Sequence, residues 1–374
     1  MSNFRLRLDR ISSATRNANL PREVIVGPQI IAKEGYILAV RVLNDKTVYN
    51  VIEDVTGRQI KVREGDIVAG VLGRRRALKG YAGDVPESIQ VGDTIQILNQ
   101  GGIIGKCRSQ VPDLGPPFDC EVLGAIQRLP EGGDRVGVPA SILEGAVPPA
   151  TTLNDNIPPV VFVAGSAMNS GKTVACIQTV RFLSRAGLKV AACKLTGVSL
   201  RRDTLAMEDA GAIAAISFND TGVATTYAGA AVTSAKGIFN HLATLSPDVI
   251  VAELGDGILG EYGVAEILED AELAEAAQAC VVCAPDQVAA WGAQRLFADR
   301  FTRVPIDVIS GPVTDALVGR EYIAKNLGLA AANAVLEPER LAELVLEALK
   351  LESLKHQTPR PAVTGLEELP EHED

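Results

Sequence analysis

The stretch Val160-Val161-Phe162-Val163-Ala164-Gly165-Ser166-Ala167-Met168-Asn169-Ser170-Gly171-Lys172-Thr173 decides the fold. Four apolar residues read as a strand, Gly165 to Thr173 as a glycine-bounded turn, and Lys172 to Ala186 as a helix. Strand, Gly-rich loop and helix in that order form the Walker phosphate-binding arrangement. Backbone N–H groups in such a turn converge on phosphate oxygens, and the helix N-terminus adds partial positive charge. Lys172 is placed to reach the β- and γ-phosphates and Thr173 to set its hydroxyl on Mg²⁺. Gly165, Ser166, Asn169, Ser170, Gly171, Lys172 and Thr173 are therefore the candidate nucleotide-binding residues. The spacing is unusual: five residues separate Gly165 from Gly171 instead of four, and Ser166 stands where the first glycine of the ordinary motif would be.

Downstream, apolar strands alternate with helices. Strands are expected at Lys189–Cys193, Val249–Ala252, Ala279–Cys283 and Ile306–Ile309, and helices at Asp203–Ile216, Ala230–Leu245, Asp286–Phe301, Val318–Leu327 and from Pro338 to about Leu351. Strands apolar at every position belong to a parallel sheet covered on both faces, and alternation with helices makes it doubly wound. Upstream the pattern differs. Short runs such as Ile37–Val42, Thr47–Ile52 and Thr94–Leu98 are separated by turn signals at Asp54–Arg58 and Asn99-Gln100-Gly101-Gly102. The fold class is thus α/β, a P-loop doubly wound and mainly parallel sheet, with a smaller N-terminal β-rich barrel or sandwich. The expected division is residues 1–147 for the β-rich domain, 148–159 for a Pro/Thr linker, 160–352 for the P-loop domain and 353–374 for an acidic, disordered tail.

The 374 residues suit two domains, and the net charge of −10 argues against a general nucleic-acid binder. No apolar run is long enough to cross a bilayer and the N-terminus is polar, so a cytoplasmic protein is expected. The six cysteines form no compact framework; Cys280 and Cys283, three apart on a strand, face opposite sides and read as structural thiols. Of the three histidines, His356 and His372 lie in the tail and His241 stands alone, which disfavours histidine catalysis. The basic run Gly73-Arg74-Arg75-Arg76-Ala77-Leu78-Lys79-Gly80 reads as a solvated hairpin, with binding of phosphate, an acidic substrate or a partner's acidic surface as the alternative.

The five-residue loop resembles that of dethiobiotin synthetase, within the wider SIMIBI class of P-loop proteins that includes MinD-like and signal-recognition-particle GTPases. Asn169-Ser170-Gly171-Lys172-Thr173 also resembles the molybdopterin-guanine dinucleotide accessory proteins of the MobB type. Cys193-Lys194-Leu195-Thr196-Gly197 is similar to the Lys-containing segment after the second strand of dethiobiotin synthetase. Arg202-Asp203-Thr204 with Asp209-Ala210-Gly211-Ala212 resembles the MobB-like pattern. The strand Asp248–Ala252 ends in Glu253-Leu254-Gly255-Asp256-Gly257, where dethiobiotin synthetase has Val-Glu-Gly and its Glu helps hold Mg²⁺. The resemblance covers roughly residues 158–330 and departs at Leu254, at Ala167, where MinD-type loops carry a trans-acting lysine, and in the β-rich part.

Ligands of such sheets lie at the carboxyl ends of the strands. Thr173, Asp203 and Glu253 are thereby the expected Mg²⁺ residues, Lys172 and Lys194 the charge-neutralising ones, and Asp256 the group that orients an attacking atom or binds substrate. A Gly-rich segment from Gly255 to Gly263 reads either as a mobile loop over the substrate or as a turn. The resemblance implies an ATP·Mg²⁺-dependent enzyme that phosphorylates or activates a small carboxylate or carbamate, with nucleotide and small molecule as partners. The alternative is a nucleotide-dependent accessory or regulatory protein whose β domain binds a partner. No Asn-Lys-x-Asp guanine signature occurs, which favours ATP over GTP. The class is compatible with a homodimer.

Overall fold

The computed structural model describes residues 2–128 and 137–351. The expected tail, with His356 and His372, lies outside the described residues.

In the C-terminal part, seven strands form one sheet: β1 (Val160–Gly165), β2 (Val190–Lys194), β3 (Ala214–Ser217), β4 (Val249–Glu253), β5 (Ala277–Cys283), β6 (Val308–Ser310) and β7 (Ala330–Ala331). Their order is β3-β2-β4-β1-β5-β6-β7, every pair parallel. The crossovers include α1 (Lys172–Arg185), α2 (Arg202–Asp209) and α3 (Ala228–Ala243). Side chains alternate between faces with period two. Val160, Phe162 and Ala164 of β1 pack with Ile238, Phe239 and Leu242 of α3. Val161 and Val163 pack on the other face with Ala175, Cys176, Val180 and Leu183 of α1. Both faces are covered, which is why every residue of β1 is buried. Cys280 joins the first core and Cys283 the second, on opposite faces. Burial raises both thiols, Cys280 well above its ordinary value and Cys283 to about 12, so both stay protonated.

One expected helix is shorter than the sequence suggests. The run Asp203–Ile216 divides into α2, ending at Asp209, and the strand β3. Gly211 adopts a left-handed φ of 110°, which stops the helix, and Ala214–Ser217 pairs with the free edge of β2. The edge hydrogen bonds outweigh the helix preference of the alanines.

The N-terminal strands close on themselves. Phe118–Arg128 pairs with Ile37–Val42, which pairs with Ile67–Leu72, which pairs with Ile103–Gln110, which pairs with Thr94–Ile97, which returns to Phe118–Arg128. Leu38, Val40, Val68, Ile95, Ile104 and Val122 share its core. Closure pairs both edges of each of these five strands. The two expected turns are present. Asp54 Oδ1 accepts from the N–H of Thr56 and of Arg58, while Asn99 Oδ1 accepts from Ile103 N at 3.0 Å. The strand expected over Thr47–Ile52 is reduced to Val51–Glu53. Asn50 donates to the carbonyls of Lys46 and Thr47, and Tyr49 takes a left-handed φ of 54°, so local turn bonds displace the extended form.

The barrel packs directly on the carboxyl edge of the parallel sheet. Asn99 Nδ2 donates to Ser199 O at 2.9 Å, Arg16 pairs with Asp220 at 2.7 Å, and Asn219 Nδ2 donates to Ala14 O at 3.1 Å. The approach at Gly101 is so close that a Cβ there would lie 1.9 Å from Ser199 O. Glu53, fully buried, accepts from the N–H of Arg201 at 2.5 Å and of Arg202 at 3.0 Å. Its carboxylate therefore caps the first turn of α2 from the barrel side, where negative charge is favoured.

Candidate functional site

Alternation along the strands brings the polar residues together. Residues 190, 192 and 194 of β2 and 249, 251 and 253 of β4 share one face, the face that α1 and α2 cover. Lys194 and Glu253 occupy the same register level on adjacent strands. Lys194 Nζ is consequently 3.6 Å from Glu253 Oε1 and also pairs with Asp203, from the first turn of α2. Thr173, in the first turn of α1, donates its hydroxyl to Glu253 Oε1 at 3.0 Å. Thus Thr173, Lys194, Asp203 and Glu253 form one connected cluster at the mouth of the sheet.

The loop itself is tightly built. Ser166 N donates to Cys283 O and Ile258 N to Gly165 O, both at 3.0 Å, which ties it to β5 and to the segment after β4. Asn169 takes φ 61° and Gly171 φ 95°, so the backbone turns sharply before α1. A Cβ on Gly165 would lie 2.2 Å from Ser170 Oγ. The close approach requires glycine there. Lys172 is buried, and its Nζ donates back to Ala167 O at 2.8 Å, over the loop.

The electrostatics follow from burial and neighbours. Burial lowers the Lys172 ammonium from its ordinary value, partly opposed by Glu253. Burial also acts to lower Lys194, but Glu253 and Asp203 more than offset it and its proton is held above the usual lysine range. Asp203 is opposed by burial, yet Lys194 holds it below the usual carboxylate range. A lowered carboxylate stabilises the fold above its unfolded pKa, and that contribution vanishes as pH falls through the folded value. Asp203→Asn is expected to cost about 3 kcal/mol at neutral pH, the scale of a broken buried pair. The difference from wild type should shrink below about pH 4 in urea unfolding measured across pH. A difference that grows on acidification would show that the pair does not stabilise the fold.

Asp256 sits in the segment after β4, half-buried, with φ 72°. Burial raises its carboxyl above the ordinary value, opposed by the Gly257 N–H and by the charges of Lys172 and Arg75. The segment from Gly255 packs closely: a Cβ on Gly255 would lie 2.3 Å from Thr196 O, and one on Gly257 2.9 Å from Ser166 O. All of these groups open into one cleft of about 930 Å³, within the range of small-molecule sites. Its lining includes Asn169 to Thr173, Lys194, Asp203, Glu253 and Asp256; Gly165 and Ser166 lie outside that lining, bonded to Ile258 and Cys283.

The second wall of the cleft comes from the barrel and includes Arg75, Lys79 and Gly80 of the basic run. The basic run 73–80 is not a uniformly solvated hairpin. Arg74 pairs with Glu34 and stacks 4.4 Å over the Tyr227 ring, and Arg76 pairs with Asp84 at 2.6 Å. Arg75 between them is buried and turns into the cleft. A strand alternation reading of Arg75–Arg76 was the available signal, since successive residues face opposite sides. Nothing in the sequence marks Glu53 as the cap of α2, a contact that spans 148 residues.

A Gly-rich loop between a buried parallel strand and a helix, with a buried acid at the end of the adjacent strand, defines this part of the chain as a P-loop NTPase fold, a nucleotide-binding architecture. No protein-family model matches the chain, and no curated protein matches it. Among solved structures the chain is similar to the hydrogenase maturation factor HypB of Archaeoglobus fulgidus, at 17% identity over 50% of this chain and 76% of that one, with a TM-score of 0.29. It is also similar to the cell division protein FtsY of Thermotoga maritima, at 17% identity over 52% and 71%, TM-score 0.35. The signal recognition particle receptor FtsY of Elizabethkingia anophelis shows 14% identity over 57% and 68%, TM-score 0.36. The class stands on the strand order and the loop, not on these distant likenesses. Among the described residues no helix is long and apolar enough to cross a membrane.

Proposed function

We propose that the chain binds a nucleoside triphosphate with Mg²⁺ on the loop from Gly165 to Thr173 and directs its terminal phosphoryl group to a small carboxylate or carbamate, in the manner of dethiobiotin synthetase. The observation that carries this reading is at Glu253: one carboxylate oxygen accepts from Thr173, while Oε2 is buried with no hydrogen-bond partner among the described residues. A buried carboxylate oxygen left unpaired is costly, and a hard cation beside a threonine hydroxyl would satisfy it. Thr173 and Glu253 would hold Mg²⁺, and Asp203 would join them on leaving Lys194. When bound, the ion would neutralise charge on the phosphate oxygens. Lys172 would swing from Ala167 O to the phosphates, and Lys194 would balance the charge that develops there. Asp256, whose carboxyl is raised by burial, would hold the acceptor. ATP is the proposed nucleotide, because the chain carries no guanine signature.

A second reading, a MobB-like accessory protein, is favoured by one contact. Glu53, on a two-stranded hairpin tied to the barrel through Gln100, caps α2, which carries Asp203, so a change at the phosphate site would reach the N-terminal part directly. Turnover separates the two. ADP release from ATP·Mg²⁺ is expected to rise at least tenfold in the presence of a pool of small carboxylic and amino acids. Release that no small molecule raises would overturn the enzyme reading.

A further inference from the structure

The arginine that turns into the cleft touches no acid directly among the described residues. Arg74 and Arg76, its neighbours, each pair with a carboxylate, whereas Arg75 makes no ion pair among the described residues. It is only 8% exposed. A guanidinium stays charged under all ordinary conditions, so this is a buried, unneutralised cation. It is nevertheless held firmly. One Nη donates to Leu98 O and the other to Lys79 O at 3.1 Å, while Nε is buried without a partner among the described residues. Gly80 makes room for it: with φ 119°, a Cβ there would lie 2.5 Å from an Arg75 Nη. A rigid, desolvated guanidinium with donors to spare is the arrangement that recognises a planar anion.

The same cleft gathers strained backbone. Tyr49, Asn169 and Asp256 are non-glycine residues with φ of 54°, 61° and 72°, and all three line it. Such conformations persist where the surrounding structure holds them, and they concentrate at ligand sites. Arg75 and Asp256 lie close enough for the arginine to lower the aspartate's proton affinity. On the barrel wall Arg75 and Lys79 line the cleft with one acid, Asp113, which leaves that wall one net positive charge, while Asp256 belongs to the wall of the phosphate-binding loop.

We infer that the barrel wall, centred on Arg75 and assisted by Lys79, is a receptor for the carboxylate of a small monoanionic co-substrate, held across the cleft from the phosphate-binding loop. The identification of the ligand as a co-substrate rests on the proposed function; the anion site at Arg75 does not.

The test uses the full chain loaded with ADP·Mg²⁺, with the monoanions acetate, propionate and butyrate as probes in saturation-transfer NMR. At least one probe is expected to bind wild type. Arg75→Gln should weaken it at least tenfold, Arg75→Lys about fivefold and Lys79→Ala about threefold, with ADP·Mg²⁺ affinity within twofold of wild type. Lys79 is exposed, so its variant decides the matter if both Arg75 variants unfold. Binding of none of the three acids, or binding equal in every variant, overturns the inference. So does a loss of ATP affinity in Arg75→Gln that exceeds the loss of ADP affinity tenfold, which would assign Arg75 to the γ-phosphate. If wild type binds no nucleotide but still binds a carboxylate through Arg75, the proposed function fails and the anion site stands.

Discussion

Lys172→Ala is expected to raise the dissociation constant for the triphosphate about 100-fold while leaving the fold intact. Lys172 is the charged group nearest the loop's anion cradle, and charge-assisted hydrogen bonds contribute about 1.5–3 kcal/mol each. Two such bonds, to adjacent phosphates, come to about 3 kcal/mol after the cost of freeing Nζ from Ala167 O, or about two decades in affinity. The fold should not suffer, because burial already disfavours the charged form of this lysine. Calorimetric titration with the triphosphate, beside a thermal melt of each protein, reads both quantities. Unchanged affinity in a folded variant would remove Lys172 from the site.

The second large effect is on stability. Glu53→Ala should destabilise the chain by about 1–3 kcal/mol, since it removes the buried carboxylate that caps two part-buried N–H groups. Those groups belong to Arg201 and Arg202, at the start of the helix that presents Asp203 to Lys194. The variant is therefore expected to loosen the metal-side cluster as well as the fold. Urea unfolding gives the stability, and amide hydrogen exchange over residues 201–209 reports the helix. Protection of α2 equal to wild type would show that the barrel does not support it.

These two residues mark the limits of what the sequence reveals. Lys172 was legible because a phosphate loop is a local object: strand, turn and helix are consecutive, and the spacing of glycines has a steric cause. The same holds for Glu253, whose place after Val249–Ala252 puts an acid at the end of a buried strand. The alternation of wholly apolar runs with helical ones gave five of the seven strands of the parallel sheet, missing β3 and the two-residue β7. It failed at β3, where pairing to a free edge overrode the preference of an alanine-rich segment. It failed at Thr47–Asn50, where asparagine bonds curl the backbone. The barrel wall of the cleft was hidden for a different reason. Glu53 is defined by contacts with Arg201 and Arg202, far away in the chain, and a run of three arginines looks solvated until two of them are seen to be paired and the third buried. Long-range partners leave no periodic trace.

Titration of the wild-type chain with ATP and with GTP, each with and without Mg²⁺, tests the central claim most directly. The arrangement of Thr173 and Glu253 beside the loop predicts that ATP binds and that removing Mg²⁺ weakens it at least tenfold, and the lack of a guanine signature in the sequence predicts that ATP outcompetes GTP. Binding of neither nucleotide with Mg²⁺ present would contradict the account.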